Sequence, residues 1–173
     1  MPEFFAANWS QFVGWLAKQG LPRSDAAPIW RAVYRRGVTE LSTLSEISAR
    51  RRGLIADAWR LTPLRVVRTT ESSDQCTRKY LLALEDGALI ETVLMQFRGR
   101  WTGCLSTQVG CPLDCSFCAT GQAGFTRHLT SAEIVAQAVF AQRVLLADLC
   151  RTRPADTRGR QGDFLRNVVL MGM

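Results

Sequence analysis

Four of the six cysteines in this 173-residue chain, Cys104, Cys111, Cys115 and Cys118, fall within one short stretch. Three of them have the spacing C-x-x-x-C-x-x-C, in "CPLDCSFC". Three thiolates this close on one loop can each bind a different iron of a cubane iron–sulfur cluster, leaving the fourth iron without a protein ligand. An open iron is where a substrate or cofactor coordinates. An electron-transfer ferredoxin would supply a fourth cysteine, and none follows at a suitable spacing. Zinc is the competing reading. It needs a fourth ligand, and the only histidine, His128, lies ten residues beyond Cys118. Structural zinc sites also tend to bring their ligands in two pairs, an arrangement missing here. Unrelated buried thiols are the third reading. Phe117, directly before the last cysteine, suits the cluster, as a ring that shields it or lies against a bound adenine.

The elements that must position this loop are legible in the apolar spacing. Residues 1–62 read as three amphipathic helices with basic outer faces. The first places Phe5, Trp9, Phe12, Val13 and Leu16 on one side and ends at Gly20 and Pro22. The second carries Ile29, Trp30, Val33 and Tyr34 and stops at Gly37. The third, capped by Ser42 or Ser45, turns Leu44, Ile47, Leu54, Ile55 and Trp59 inward. From Pro63 the period becomes strand-like. "LRVVRTTES" reads as a strand, "TRKYLLALEDGALIETVLMQF" as a hairpin around Asp86-Gly87, and "RGRWTG" as a link.

Beyond the cysteines, "LTSAEIVAQAVFAQRVLLADL" is a helix. Thr130 or Ser131 caps it with support from Glu133, and Ile134, Val135, Ala138, Val139, Val144 and Leu145 form its buried face. "CRTRPADTRGRQGDF" reads as a polar loop, and "NVVLMGM" as a strand buried on both faces of a parallel sheet. Strand (around Gly103–Thr107), cysteine loop, helix and strand make one βαβ unit, which alone cannot cover both faces of its sheet. The expected fold is an α+β N-terminal part (helical bundle plus β-hairpin) followed by the first βαβ portion of an incomplete α/β barrel. Its expected divisions are 1–62, 63–100 and 101–173.

Composition adds bounds. No run approaches the roughly 20 apolar residues that span a bilayer, and the polar start with Glu3 is unlike a signal peptide. The expectation is a cytoplasmic, monomeric protein, in a compartment where clustered cysteines bind metal more often than they pair. Net charge is +7, and of the 22 basic residues only Lys18 and Lys79 are lysines. Biased codon usage explains that as readily as a polyanionic partner does, although the guanidinium fork pairs well with phosphate.

The stretch "CLSTQVGCPLDCSFCATGQAGFTRHLTSAEI" resembles the cluster loop of the radical S-adenosylmethionine (SAM) enzymes, in particular the RlmN/Cfr family of RNA adenine methyltransferases. "YRRGVTELSTLSEISARRR" is similar to that family's helical domain, "RKYLLALEDGALIETVLMQF" to its hairpin, and "NVVLMGM" to the strand that opens its MGMGEP motif. The resemblance implies a 4Fe-4S cluster on Cys111, Cys115 and Cys118, SAM on the open iron, an external reductant, and methylation of adenine C2 in ribosomal RNA, with transfer RNA a second target. It implies that Glu91 accepts a proton and that Cys104 helps resolve a covalent enzyme–RNA intermediate. Taken alone, Glu91 reads as a solvent-facing strand charge and Cys104 as a buried thiol. Cys76 and Cys150 match nothing catalytic and read as free thiols. Family members continue for about as many residues again, through further SAM contacts and a methyl-carrying cysteine. The expectation is therefore a fragment lacking that carrier. A non-catalytic RNA- or zinc-binding module is the alternative.

Overall fold

Helical and alternating periods become helices and strands in the computed structural model, which describes residues 1–152 and 164–172. Met173, most of the arginine-rich loop and the side chain of Cys150 lie outside the described residues.

A short 3-10 turn, Phe4–Ala6, precedes α1 (Trp9–Lys18). Asn8 caps α1: its side chain accepts from the Gln11 N–H at 2.9 Å, and Gln11 Oε1 accepts from the Asn8 N–H at 2.8 Å. This reciprocal pair satisfies two orphan donors, and the sequence reading had missed it. Helix α2 (Ala26–Arg36) ends at Gly37, whose φ of +66° is the left-handed cap that favours glycine. Helix α3 (Ala49–Ala58) starts later than expected. Ser48, not Ser42 or Ser45, stands at its N-cap, because Leu41–Thr43 forms a separate 3-10 turn. That shift turns Leu54 outward, while Leu44, Ile47, Ile55 and Trp59 are buried as expected.

The helices close around Phe4, which is 0% exposed and meets Phe12 edge-on at 5.0 Å and Trp59 at 6.0 Å between ring centroids. Arg51 donates to both oxygens of buried Asp25 at 2.8 Å, tying α3 to the start of α2.

The main sheet has the order β1 (Arg65–Glu71), β2 (Thr77–Ala83), β3 (Leu89–Phe97), β4 (Arg100–Ser106), β7 (Leu165–Met171). The first four strands are antiparallel neighbours, and β7 runs parallel to β4. The hairpin β2–β3 turns at Asp86-Gly87, as expected. The segment read as a link is instead a second hairpin, because Arg98 and Gly99 take φ of +49° and +72° and so turn β3 tightly into β4. A small second sheet pairs β5 (Gln108–Gly110) with β6 (Phe125–His128), and a single helical turn, α4 (Ala119–Gln122), lies between them.

Helix α5 (Ser131–Thr152) begins with the expected box: Glu133 N–H donates to Thr130 Oγ1 at 3.2 Å, and Thr130 N–H to Glu133 Oε2 at 2.8 Å. It joins two cores. Ala132, Ala136 and Val139 pack with the N-terminal helices, whereas Phe140, Ala141 and Leu145 pack with Tyr80, Leu82, Ile90 and Leu94 of the sheet. Strand β7 departs from expectation. It is not buried on both faces, and Leu170 is 61% exposed. It is the edge strand, with no described element on its far side. Among the described residues no helix is long and apolar enough to cross a membrane.

Candidate functional site

Strands β4 and β7 end together, and the cysteine loop leaves from that end. Thr107 donates to the Met171 carbonyl through its N–H at 2.9 Å and its hydroxyl at 2.6 Å. Gly172 then passes so close that a Cβ there would lie 2.9 Å from Gln108 Nε2 and 4.0 Å from Cys111 Sγ. The carboxyl ends of parallel strands are the usual ligand position in α/β sheets. Gly172 is a site neighbour that the sequence reading did not single out. Its only signal was a glycine closing an apolar run.

Two glycines fold the loop back on itself. At Gly110, φ is +73° and a Cβ would sit 1.9 Å from the Gly124 carbonyl oxygen, which accepts the Cys111 N–H at 3.0 Å. At Gly121 a Cβ would meet the Cys115 nitrogen at 2.9 Å. Cys111, Cys115 and Cys118 are half-buried and free of disulfides. Hydrogen bonds from the Gly121 and then the Thr120 amide hold the Cys118 thiol below its ordinary pKa, which favours the thiolate a metal requires. The donor chemistry therefore suits an iron–sulfur cluster. The three sulfurs are not preassembled, however: among the described residues no group of three His, Cys, Asp or Glu side chains is placed to hold a metal. His128 lies on β6 opposite Gln108 and packs edge-on against Phe125 at 5.1 Å. Phe117 is 91% exposed.

Glu91 and Cys104 reach this region from the sheet. Val93 lies opposite both Cys104 on β4 and Lys79 on β2. With the two-residue period of strands, Lys79, Glu91 and Cys104 therefore share one face, turned away from the α5 side. Glu91 and Cys104 are diagonal neighbours, about 7–8 Å apart along the backbone. Cys104 is 7% exposed, and burial pushes its thiol pKa up. Lys79 Nζ pairs with Glu91 Oε1 at 2.9 Å.

Behind them Gln137 on α5 is fully buried. Its Oε1 accepts from Thr92 Oγ1 and from the Ser106 N–H, both at 2.9 Å, and its Nε2 donates to the Ser106 carbonyl at 3.0 Å. Ser106 Oγ in turn donates to the Glu91 carbonyl at 2.6 Å. One glutamine thus locks the helix to the strands that carry Glu91 and Cys104. A polar residue on an apolar helix face was the available signal for it. Arg127 adds a clamp, reaching Asp86 in the hairpin turn at 2.7 Å and Glu133 at 2.8 Å.

No family model matches the chain. It is 43% identical over 178 residues to a probable dual-specificity RNA methyltransferase RlmN 2 of Opitutus terrae, covering 92% of this chain and 42% of that protein. It is 45% identical over 145 residues to the dual-specificity RNA methyltransferase RlmN 1 of Myxococcus xanthus, covering 84% and 37%. Among solved structures, a radical SAM methyltransferase from Sphaerobacter thermophilus superposes with a TM-score of 0.81 at 38% identity, covering all of this chain and 47% of that one. The chain spans somewhat less than half the length of the relatives it matches.

Proposed function

The chain belongs with the RlmN-named radical SAM RNA methyltransferases, and on that premise we propose that it supplies the cluster-binding part of an enzyme methylating adenine C2 in ribosomal RNA, with transfer RNA as a second target. The observation that supports this best is the placement of the cysteine loop at the common end of β4 and β7, with Gly172 against Cys111. Cys111, Cys115 and Cys118 would hold a 4Fe-4S cluster, with SAM as its companion cofactor. When bound, the pair supplies one-electron chemistry from an external reductant, suited to an aromatic carbon that simple nucleophilic transfer leaves unmethylated.

The chain's own groups have separable tasks. The glycine-folded loop would carry the three thiols that hold the cluster. Phe117, exposed beside Cys118, would lie against the cofactor. Glu91 takes a proton from the methylated adenine, and its ion pair with Lys79 fixes where its side chain sits. Cys104, buried and held as a thiol, stays unreactive until the covalent RNA intermediate needs resolving. The protein works as a cytoplasmic monomer, and the bundle of residues 1–62, the hairpin region 63–100 and the cluster region 101–173 act as its three working parts.

Anaerobic reconstitution of the chain with iron and sulfide tests the reading. The expected product is brown, its reduced cluster gives an electron paramagnetic resonance signal that SAM alters, and replacing Cys111, Cys115 and Cys118 by alanine removes both. A colourless protein with stoichiometric zinc overturns it in favour of a zinc-binding module.

A further inference from the structure

Away from the cysteine loop, a cavity of about 200 Å³ opens between the N-terminal helices and α5. Phe5, Leu61, Leu64, Val139 and Phe140 make most of its wall apolar. Exposed Thr39 aside, two polar groups break that wall. Thr62 is 8% exposed, and its hydroxyl has no hydrogen-bond partner. Arg143 is half-buried, lies over the Phe140 ring at 5.4 Å, and has no carboxylate partner among the described residues. Burial alone pulls its guanidinium below the ordinary value. Gly37 lets the end of α2 approach so closely that a Cβ there would lie 2.7 Å from Arg143 Cβ, which fixes where the side chain starts. A buried hydroxyl without a partner is costly and uncommon in folded proteins. Thr62, with half-buried Arg143 lining the same cavity, points to a ligand.

The walls select its chemistry. The cavity is smaller than the roughly 300–1,000 Å³ typical of drug-sized ligands, so it admits one ring system. A phosphate would set two negative charges against apolar side chains with one guanidinium to balance them. A flat, uncharged heterocycle with acceptor atoms on its edge suits every wall: its faces meet the apolar side chains, and its edge accepts from Arg143, which only donates, and from Thr62. Unpaired RNA bases are recognised in this way, splayed out of the strand onto aromatic and arginine surfaces. We propose that this cavity receives one unpaired nucleobase of the RNA, apart from the base that is methylated. The inference rests on the RNA-methyltransferase reading for the identity of the strand, and on the cavity alone for the base.

Calorimetric titration of the whole chain tests both parts. The probes are the four uncharged ribonucleosides, a short single-stranded oligoribonucleotide and inorganic phosphate. The variants are Thr62→Val, which removes only an unpartnered hydroxyl and should leave melting unchanged, and Arg143→Met. At least one nucleoside should bind the natural chain, each variant should weaken it about tenfold or more, as for loss of a good base contact, and the oligoribonucleotide should displace it. Failure of every nucleoside to bind, phosphate binding as tightly, or affinity unchanged from the natural chain in both variants overturns the base site. An oligoribonucleotide that binds all three proteins equally leaves RNA recognition standing and removes the cavity from it. A nucleoside that binds and is not displaced by RNA overturns the RNA source.

Discussion

In the N-terminal bundle Phe4, Phe12 and Trp59 interlock edge to face, shielded from water. In the cysteine loop Leu113 and Phe117 stand in solvent, and Asp114 takes a φ of +46° that non-glycine residues rarely adopt. The bundle puts most of its aromatic surface into its own core, with Trp9 left exposed. The loop leaves its apolar side chains exposed and its thiols apart, with only glycine-dependent backbone contacts and a few hydrogen bonds to shape it. The stable core and the candidate site are therefore housed in different places, and α5 with Gln137 joins them.

Mutations can break that division, beginning with the largest effect. Phe12→Ala empties the centre of the bundle and should cost about 3–5 kcal/mol in denaturant unfolding, with loss of the whole fold. Gln137→Leu keeps the volume but strands Thr92, Ser106 N–H and the Ser106 carbonyl. It should cost about 1–3 kcal/mol, and if Gln137 joins the two regions it should lower cluster incorporation as well. Gly110→Ala forces a left-handed residue into contact with Gly124. The backbone term alone is about 1–2 kcal/mol, and iron content of the reconstituted protein should fall far more than the melting temperature. An equal global loss would show that loop and core are one cooperative unit.

Acid should act on the junction. The hydrogen bond from Arg127, helped by the Thr130 amide, holds the Glu133 carboxyl below its usual value. A group depressed on folding contributes stability above its unfolded pKa, near 4.3, and that stability is lost as pH falls through the folded value. Glu133→Gln should flatten this acid limb, read by circular dichroism at the start of α5. The smallest effect belongs to Phe117→Ala, which should change unfolding by less than about 0.5 kcal/mol while weakening SAM binding to the loaded protein.

The cysteine pattern and the local caps and turns are easier to read than their surroundings. The tight cysteine spacing needs no tertiary information, and the Thr130–Glu133 box and the Asp86-Gly87 turn are local devices that appeared where their residues stand. Leu54 and the start of α3 were misread because a 3-10 turn changes phase without changing composition. The β3–β4 hairpin was missed because Arg98 supplies a positive φ that its side chain does not advertise. "NVVLMGM" carries the composition of a central strand, yet β7 is an edge here, because burial depends on neighbours and not on the strand itself.

By itself, then, the sequence determined most of the helices and strands, the Thr130–Glu133 cap, the Asp86-Gly87 turn and the thiol pattern, since each depends on residues within a few positions of one another. Only the tertiary structure decided that Glu91 and Cys104 share a sheet face, that Gly172 lies against Cys111, that Gln137 binds three groups behind the site, and that Thr62 and Arg143 meet in one cavity. Those relations join residues tens of positions apart. Strand register and helix docking set them, through packing that no local pattern encodes.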